Sequence, residues 1–308
     1  HFLATPCFVN HSSSRSLSLS LSNTHSLSLE SKMGKGPGLY SDIGKLAKDL
    51  LTKDYNSDQK LTVKSFSTTG VALTSTALKK GGLSTGDVAA LYKYKNTLID
   101  VKLDTASTIN TTLTFTDLFP STKTKVSFKL PDYNSGKLEV QYFHDHATIT
   151  SVATLKQSPI FDVSATFGTP TAAIGAEAGY DTQSGRFTKY NTGISFTKSD
   201  SSASVIIGDK GDSIKVSYLH HLDQLKKSAA VVDITRKFSA NQNTITVGGS
   251  FAIDPLTQAK VRFNNYGKLG GLLQHEIFPK SVLTISGEVD TKALDKNPKF
   301  GLAIDLKP

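Results

Sequence analysis

From Asp54 to Leu306 the chain alternates apolar and polar side chains in short runs. In "TLIDVKLD", Ile99, Val101 and Leu103 fall on one face and Asp100, Lys102 and Asp104 on the other. "KVSFKL" sets Val126, Phe128 and Leu130 against Lys125, Ser127 and Lys129; "KLEVQY" sets Leu138, Val140 and Tyr142 against Lys137, Glu139 and Gln141. "SIKVSY" and "LTISGEVD" repeat the pattern with Ile214, Val216 and Tyr218, and with Leu283, Ile285 and Val289. A period of two belongs to an extended strand with one apolar and one polar face. Turn signals punctuate the runs: "KKGG" at 79–82, "FPSTK" at 119–123, "NSG" at 134–136, "QSGR" at 183–186, "GDKGD" at 208–212, "NYGK" at 265–268 and "DKNP" at 295–298. The segments between them are roughly eight to twelve residues long and predict about nineteen strands, with no linker dividing them.

One stretch ahead of the strands has a different period. From Leu39 to Leu51 the spacing is helical: Leu39, Ile43, Leu46, Ala47 and Leu50 share a face, while Lys45, Lys48 and Asp49 lie away from it. Ser41 or Asp42 can cap its start. A helix of about thirteen residues is too short to cross a bilayer at ~1.5 Å per residue, so it packs on something or lies on a surface.

The strand count decides the architecture. A sandwich holds about seven to nine strands per ~100 residues and would need several linked domains here. One sheet of this many strands twists and must close or split. Closed, it is too wide for side chains to fill, so its lumen is wet and its polar faces line it. The apolar faces then meet lipid, and closure gives every backbone group a partner. The fold class expected is an all-β transmembrane barrel of about nineteen strands, with the amphipathic helix in its lumen. No run approaches the ~18–20 apolar residues of a membrane helix. A stretch such as "SAAVVDI" is broken by Asp233. Tyr and Phe, 10 and 16 of them, can form interfacial girdles although Trp is absent.

Charge narrows the partner. The formal net charge of +9 favours small anionic solutes, an acidic membrane surface or nucleic acid. In a wet barrel, anion preference needs positive potential along the lumen. The helix lysines Lys45, Lys48 and Lys53 are the first candidates, and Lys64, Lys125, Lys129, Lys215, Lys260 and Arg262 have polar-face parity. Each of these also reads as an ordinary solvated rim charge. Asp100, Asp104, Glu139 and Glu288 moderate the field, so the preference expected is weak and suits phosphate, nucleotides and carboxylates. Nucleic acid is not expected as a dedicated ligand. Leu39, Ile43, Leu46 and Leu50 are the expected helix contacts to the wall.

Other chemistry is thin. Cys7 is the only cysteine, which removes a disulfide framework and a cysteine-based zinc site. His144 with His146, and His220 with His221, read as rim or loop histidines rather than metal ligands. "NTT" at Asn110 matches a glycosylation pattern but lies inside a predicted strand. No paired carboxylates, nucleophile–base arrangement or phosphate loop stands out, so neither an enzyme nor a cofactor or metal is expected. Residues 1–32 are rich in Ser and Leu with Glu30 the only acid, and the only methionine is Met33. They read as a targeting peptide or as translation upstream of an initiator Met33, and stand apart from a helix segment at 33–54 and a barrel at 55–308.

The stretch "MGKGPGLYSDIGKLAKDLLTKDY" resembles the N-terminal segment of plant mitochondrial porins, the voltage-dependent anion channels. "NTITVGGSFAIDPLTQAKVRFNNYGKLGGLLQHEI", "SVLTISGEVDTK" and "KFGLAIDLKP" are similar to the family's C-terminal half. The family is known for nineteen strands, so the strand count and the resemblance are not independent. The resemblance implies a helix inside the pore, an anion-preferring open state and partial closure at higher voltage. It also implies the mitochondrial outer membrane, a homo-oligomer, and the barrel-assembly machinery as a partner. The last strand fits the family's assembly signal through Lys299, Gly301, Ile304 and Leu306. Three features depart from animal members: "TKDYNSDQK" stands where they have a glycine-rich hinge, "ALYKYKN" with Lys93 where they have a membrane-facing glutamate, and "TINTTLTF" where they have a nucleotide motif. The sequence alone leaves two other functions open: a protein-import pore of the same superfamily, and a soluble β-rich binder of anions or nucleic acid.

Overall fold

A computed structural model describes residues 36–293 and 298–307. Residues 1–32, Met33 and most of the expected turn at 295–298 lie outside the described residues. The strands are β1 (Gln59–Phe66), β2 (Val71–Lys80), β3 (Leu83–Tyr94), β4 (Thr97–Asp104), β5 (Ile109–Thr116), β6 (Thr122–Leu130) and β7 (Lys137–Phe143). There follow β8 (Ala147–Thr154), β9 (Ile160–Gly168), β10 (Ala172–Asp181), β11 (Arg186–Thr197), β12 (Ser201–Gly208) and β13 (Ser213–His221). The last six are β14 (Ala229–Lys237), β15 (Gln242–Ala252), β16 (Thr257–Asn264), β17 (Lys268–Phe278), β18 (Ser281–Asp290) and β19 (Lys299–Leu306).

All nineteen form one sheet, each strand antiparallel to the next, and β1 closes on β19. With an odd number of alternating strands the first and last run the same way, so the closing pair must be parallel. Gln59–Val63 pair with Leu302–Leu306 in that sense. At a strand spacing of ~4.8 Å and a tilt of ~40°, nineteen strands enclose a cylinder roughly 38 Å across between backbones. Side chains cannot fill that width.

The two faces of the sheet separate as the alternation requires. Leu61, Val88, Leu103, Phe128, Val216, Ile285 and Leu302 are exposed on the outer face. Thr62, Thr114, Gln141, Thr166, Ser217 and Thr284 are buried on the inner one. The alternative of a soluble binder with an apolar core does not fit, because the apolar layer lies outside. Among the described residues the one apolar cluster inside, Ala47, Leu51, Leu219, Ala229 and Val231, is where the helix meets the wall.

The single helix expected over Leu39–Leu51 is also corrected. Tyr40–Asp42 form a short 3-10 turn, and an α-helix, α1, spans only Lys45–Thr52. Gly44 between them is left-handed at φ 72°, a conformation glycine takes without steric cost. It, and not Ser41 or Asp42, occupies the N-cap position of α1. Asp42 closes the 3-10 turn instead, accepting from the Leu39 N–H at 3.0 Å.

The pore and its inner belt

Residues 36–58 form a belt along the inner wall. Thr148 on β8 donates to the Pro37 carbonyl at 2.8 Å. The Tyr40 ring lies over Gly175 on β10, Ile43 packs on Gly193 of β11, and Gly44 faces Ser204 and Ile206 of β12. Through Ala47 and Leu51, α1 is seated on Leu219, Ala229 and Val231 of β13 and β14, with Leu50 against the same cluster. Leu51 also lies over Gly248 on β15, where a Cβ would stand only 2.6 Å from Leu51 Cδ2. Asn56 then crosses Gly301 on β19, and its carbonyl accepts from Ser286 Oγ at 2.5 Å. Glycine makes this track because a side chain at these wall positions would occupy the belt's own space.

Of the predicted helix contacts, Ile43 is buried, Leu50 is packed on the cluster and Leu39 is half-buried. Leu46 is 50% exposed and is corrected: the break at Gly44 rotates α1 relative to the preceding turn, so Ala47 and Leu51 face the wall.

The predicted cations divide into two groups. Lys125 pairs with Glu139 at 3.0 Å, Lys215 with Asp233 at 3.0 Å, Lys260 with Asp54 at 3.5 Å and Arg262 with Glu288 at 2.6 Å. Lys45 pairs with Asp42 at 3.1 Å in an exposed contact. Lys48, Lys53, Lys64 and Lys129 make no ion pair among the described residues. The strand members of both groups have inner-face parity, as Lys125 opposite buried Thr114 and Lys215 beside buried Ser217 show. Asp100 and Asp104 share it, and so does Lys93, which has the same parity on β3 as Asp87, itself opposite Thr76 and Asp104. Tyr92 and Tyr94 therefore take the outer face at that place.

Below the end of α1 a cleft of about 310 Å³ is lined by Lys48, Lys215, Arg262 and Lys268 against Asp233 and Glu288. Its formal charges leave an excess of two positives. Lys268 was not among the sequence candidates, although it shares parity with Gly270 and Gln274 in "KLGGLLQ". Its place at the turn boundary hid it. Tyr55, also missed, stacks under Arg262 with the guanidinium carbon 4.2 Å from the ring centroid. Burial pushes the Tyr55 phenol up to about 12 while the Arg262 charge opposes the shift, so the ring stays neutral. Among the described residues no group of three or more His, Cys, Asp or Glu could hold a metal ion.

On β19, Phe300 and Leu302 face outward while Gly301 and Ala303 are buried inside. Ile304 and Leu306 sit in the closing pair, opposite Leu61 and Val63.

A closed barrel with an apolar outer wall, a charged wet lumen and a belt along its inside defines a membrane-spanning pore. The eukaryotic porin family model matches residues 36–301, and the chain belongs to that family. It is 63% identical over 276 residues to mitochondrial outer membrane protein porin 2 of Arabidopsis thaliana, covering 90% of this chain and 100% of that one. Porin 5 of Oryza sativa subsp. japonica is 60% identical over 274 residues, 89% of this chain and 99% of its own. The porin of 34 kDa from Solanum tuberosum is 50% identical over 276 residues, 90% and 100%. The chain is thus a channel of the mitochondrial outer membrane and not an enzyme.

Proposed function

We propose that this channel passes small anions and metabolites by diffusion, with a weak anion preference and partial closure under voltage. The observation that supports it most is the uneven pairing of the lumen charges. The cations locked against carboxylates act as short dipoles whose fields largely cancel, whereas Lys48, Lys53, Lys64 and Lys129 contribute positive potential that Asp100 and Asp104, also outside any ion pair among the described residues, offset in part. A pore this wide does not strip water from its solutes, so the preference stays weak. Phosphate, nucleotides and carboxylates are the solute class that such a field enriches.

Planar-bilayer recording of the refolded chain under a KCl gradient tests the reading. The reversal potential is expected on the anion side. Lys48→Gln, Lys53→Gln and Lys45→Gln each remove one positive charge and move it toward zero, the last also leaving Asp42 unpaired. Cation preference in the native channel overturns the assignment.

Voltage sensing needs charge moving through the field, worth about 2.3 kcal/mol per elementary charge per 100 mV. The belt's lysines supply such charge, and a deforming wall is the other source. A protein-import role is the lesser reading, since full-length identity runs to proteins named as porins. The Lys299, Gly301, Ile304 and Leu306 pattern at the closing strand is read as the address for barrel-assembly machinery.

A further inference from the structure

Between α1 and β1 the chain turns through an elbow, Lys53–Asp58, and the wall grips it at several points. Arg262 Nη1 on β16 donates to the Leu51 carbonyl at 2.6 Å, and Nη2 donates to Glu288 Oε2 on β18 at 2.6 Å. The same guanidinium covers the Tyr55 ring. Gly270 on β17 makes room for it, since a Cβ there would lie 2.9 Å from Arg262 Nε. Beside this, Lys260 and Gln274 reach the Asp54 carboxylate at 3.5 and 3.3 Å.

We propose that Arg262 is the positioning residue of the pore helix: it clamps the C-terminal end of α1 to β16 and β18, and opening that clamp frees the helix from the wall. The last carbonyls of a helix have no intrahelical donors and carry partial negative charge, so a cation that also donates is the natural partner there. The contact calls for arginine specifically. Its planar fork serves a carbonyl and a carboxylate together while its face stacks on a ring, which an ammonium does not do. Formal charges cancel across Arg262, Lys260, Glu288 and Asp54, so the cluster adds little to the lumen field. Its grip is geometric. The other end of the belt is held by Thr148 and by the packing of Tyr40 and Ile43.

The inference rests on the channel reading, and its test separates the two. Spin labels at Leu46→Cys on the exposed side of α1 and Thr112→Cys across the lumen on β5 report the helix position in refolded, bilayer-embedded protein. A single narrow distance is expected for native Arg262, and a broad one for Arg262→Gln. Arg262→Lys, which keeps the charge and loses the fork, is expected to broaden it as well. The charge-neutral double variant Arg262→Gln with Glu288→Gln should be as broad as Arg262→Gln. In bilayer recordings these three should spend several-fold more time in reduced-conductance states at a fixed voltage.

A narrow, native-like distance in Arg262→Lys and in the double variant overturns the clamp, whatever the currents show. Should the arginine variants fail to refold, Tyr55→Leu keeps the arginine and removes its stacking partner. Broadening there supports the clamp, and a native-like distance overturns it. Absence of any conductance from the native protein overturns the channel reading and leaves the distance measurement to decide the clamp.

Discussion

Gly301 shows how one residue carries two explanations. Its place in the terminal pattern reads as part of an address, yet a Cβ there would run into the Asn56 carbonyl and press on Ser286 Oγ at 2.8 Å. The steric account makes its own prediction. Gly301→Ala should destabilise the barrel by about 1–3 kcal/mol when refolded in detergent with no assembly machinery present, as overpacking does. Unchanged thermal unfolding of that variant would leave only the address. Asp212, in the turn between β12 and β13, gives a second prediction. Ser239 Oγ and the Ser239 N–H donate to its carboxylate at 2.5 and 2.7 Å and hold it below the usual carboxylate range. The ionised form is the one favoured in the folded protein. The tie between this turn and the β14–β15 turn is therefore complete above the ordinary carboxylate value and is lost as pH falls through the depressed one. The Ser239 amide resonance should titrate with Asp212, and Asp212→Ala should abolish that titration. Neither contact was legible in the sequence. Each depends on strand register, of β14 on β13 for Asp212 with Ser239 and of the closing β1–β19 pair for Asn56 with Gly301, whereas the parity that put Lys125 and Lys215 on the inner face is local and could be read directly.

At the scale of elements, the strands were readable and the belt was not. A strand's faces follow from period-two alternation, so Ile99, Val101 and Leu103, or Leu283 and Ile285, could be assigned without knowing their neighbours. The belt's geometry depends on where the wall is thin. Gly175, Gly193 and Gly248 looked like strand glycines with no local reason, and their reason lies in Tyr40, Ile43 and Leu51. The helix was read as one element because apolar periodicity continues across Gly44, which the helical template tolerates at a cost of only ~1 kcal/mol. The docking of Ile43 into Gly193 wins over that continuity. A paired substitution separates the two faces. Leu51→Ala removes a buried contact with the wall and should cost about 2 kcal/mol, at the low end of core truncations because α1 packs on one side only. Leu46→Ala should be within about 0.5 kcal/mol of native, as for surface positions. Urea unfolding of refolded protein, with a label on α1 as the probe, checks both. Equal effects would restore Leu46 to the packed face.

For the whole molecule the question is why a +9 chain would show only the weak preference proposed above. Width and pairing answer it together. The lumen axis lies roughly 19 Å from the backbone wall, from the same ~4.8 Å strand spacing and ~40° tilt. Screening falls from a Debye length of about 10 Å at 0.1 M salt to about 3 Å at 1 M. At the lower concentration the fields of Lys48, Lys53, Lys64 and Lys129 reach across much of the open cross-section. At the higher one they hug the wall, and most ions pass outside them. The pairs Lys125–Glu139 and Lys215–Asp233 change little, because at 3.0 Å separation each acts as a dipole whose field falls off with distance much faster than that of a single charge. Anion preference should therefore fall steeply as mean KCl rises from about 0.1 to 1 M at a fixed concentration ratio, while conductance rises with the salt. Charge-neutralising Lys48 and Lys53 together should flatten that salt dependence more than neutralising both partners of the Lys125–Glu139 and Lys215–Asp233 pairs, which leaves the net charge unchanged. A preference that holds constant through this range would require a narrow charged constriction, and among the described residues a nineteen-strand wall with its belt folded against one side supplies none.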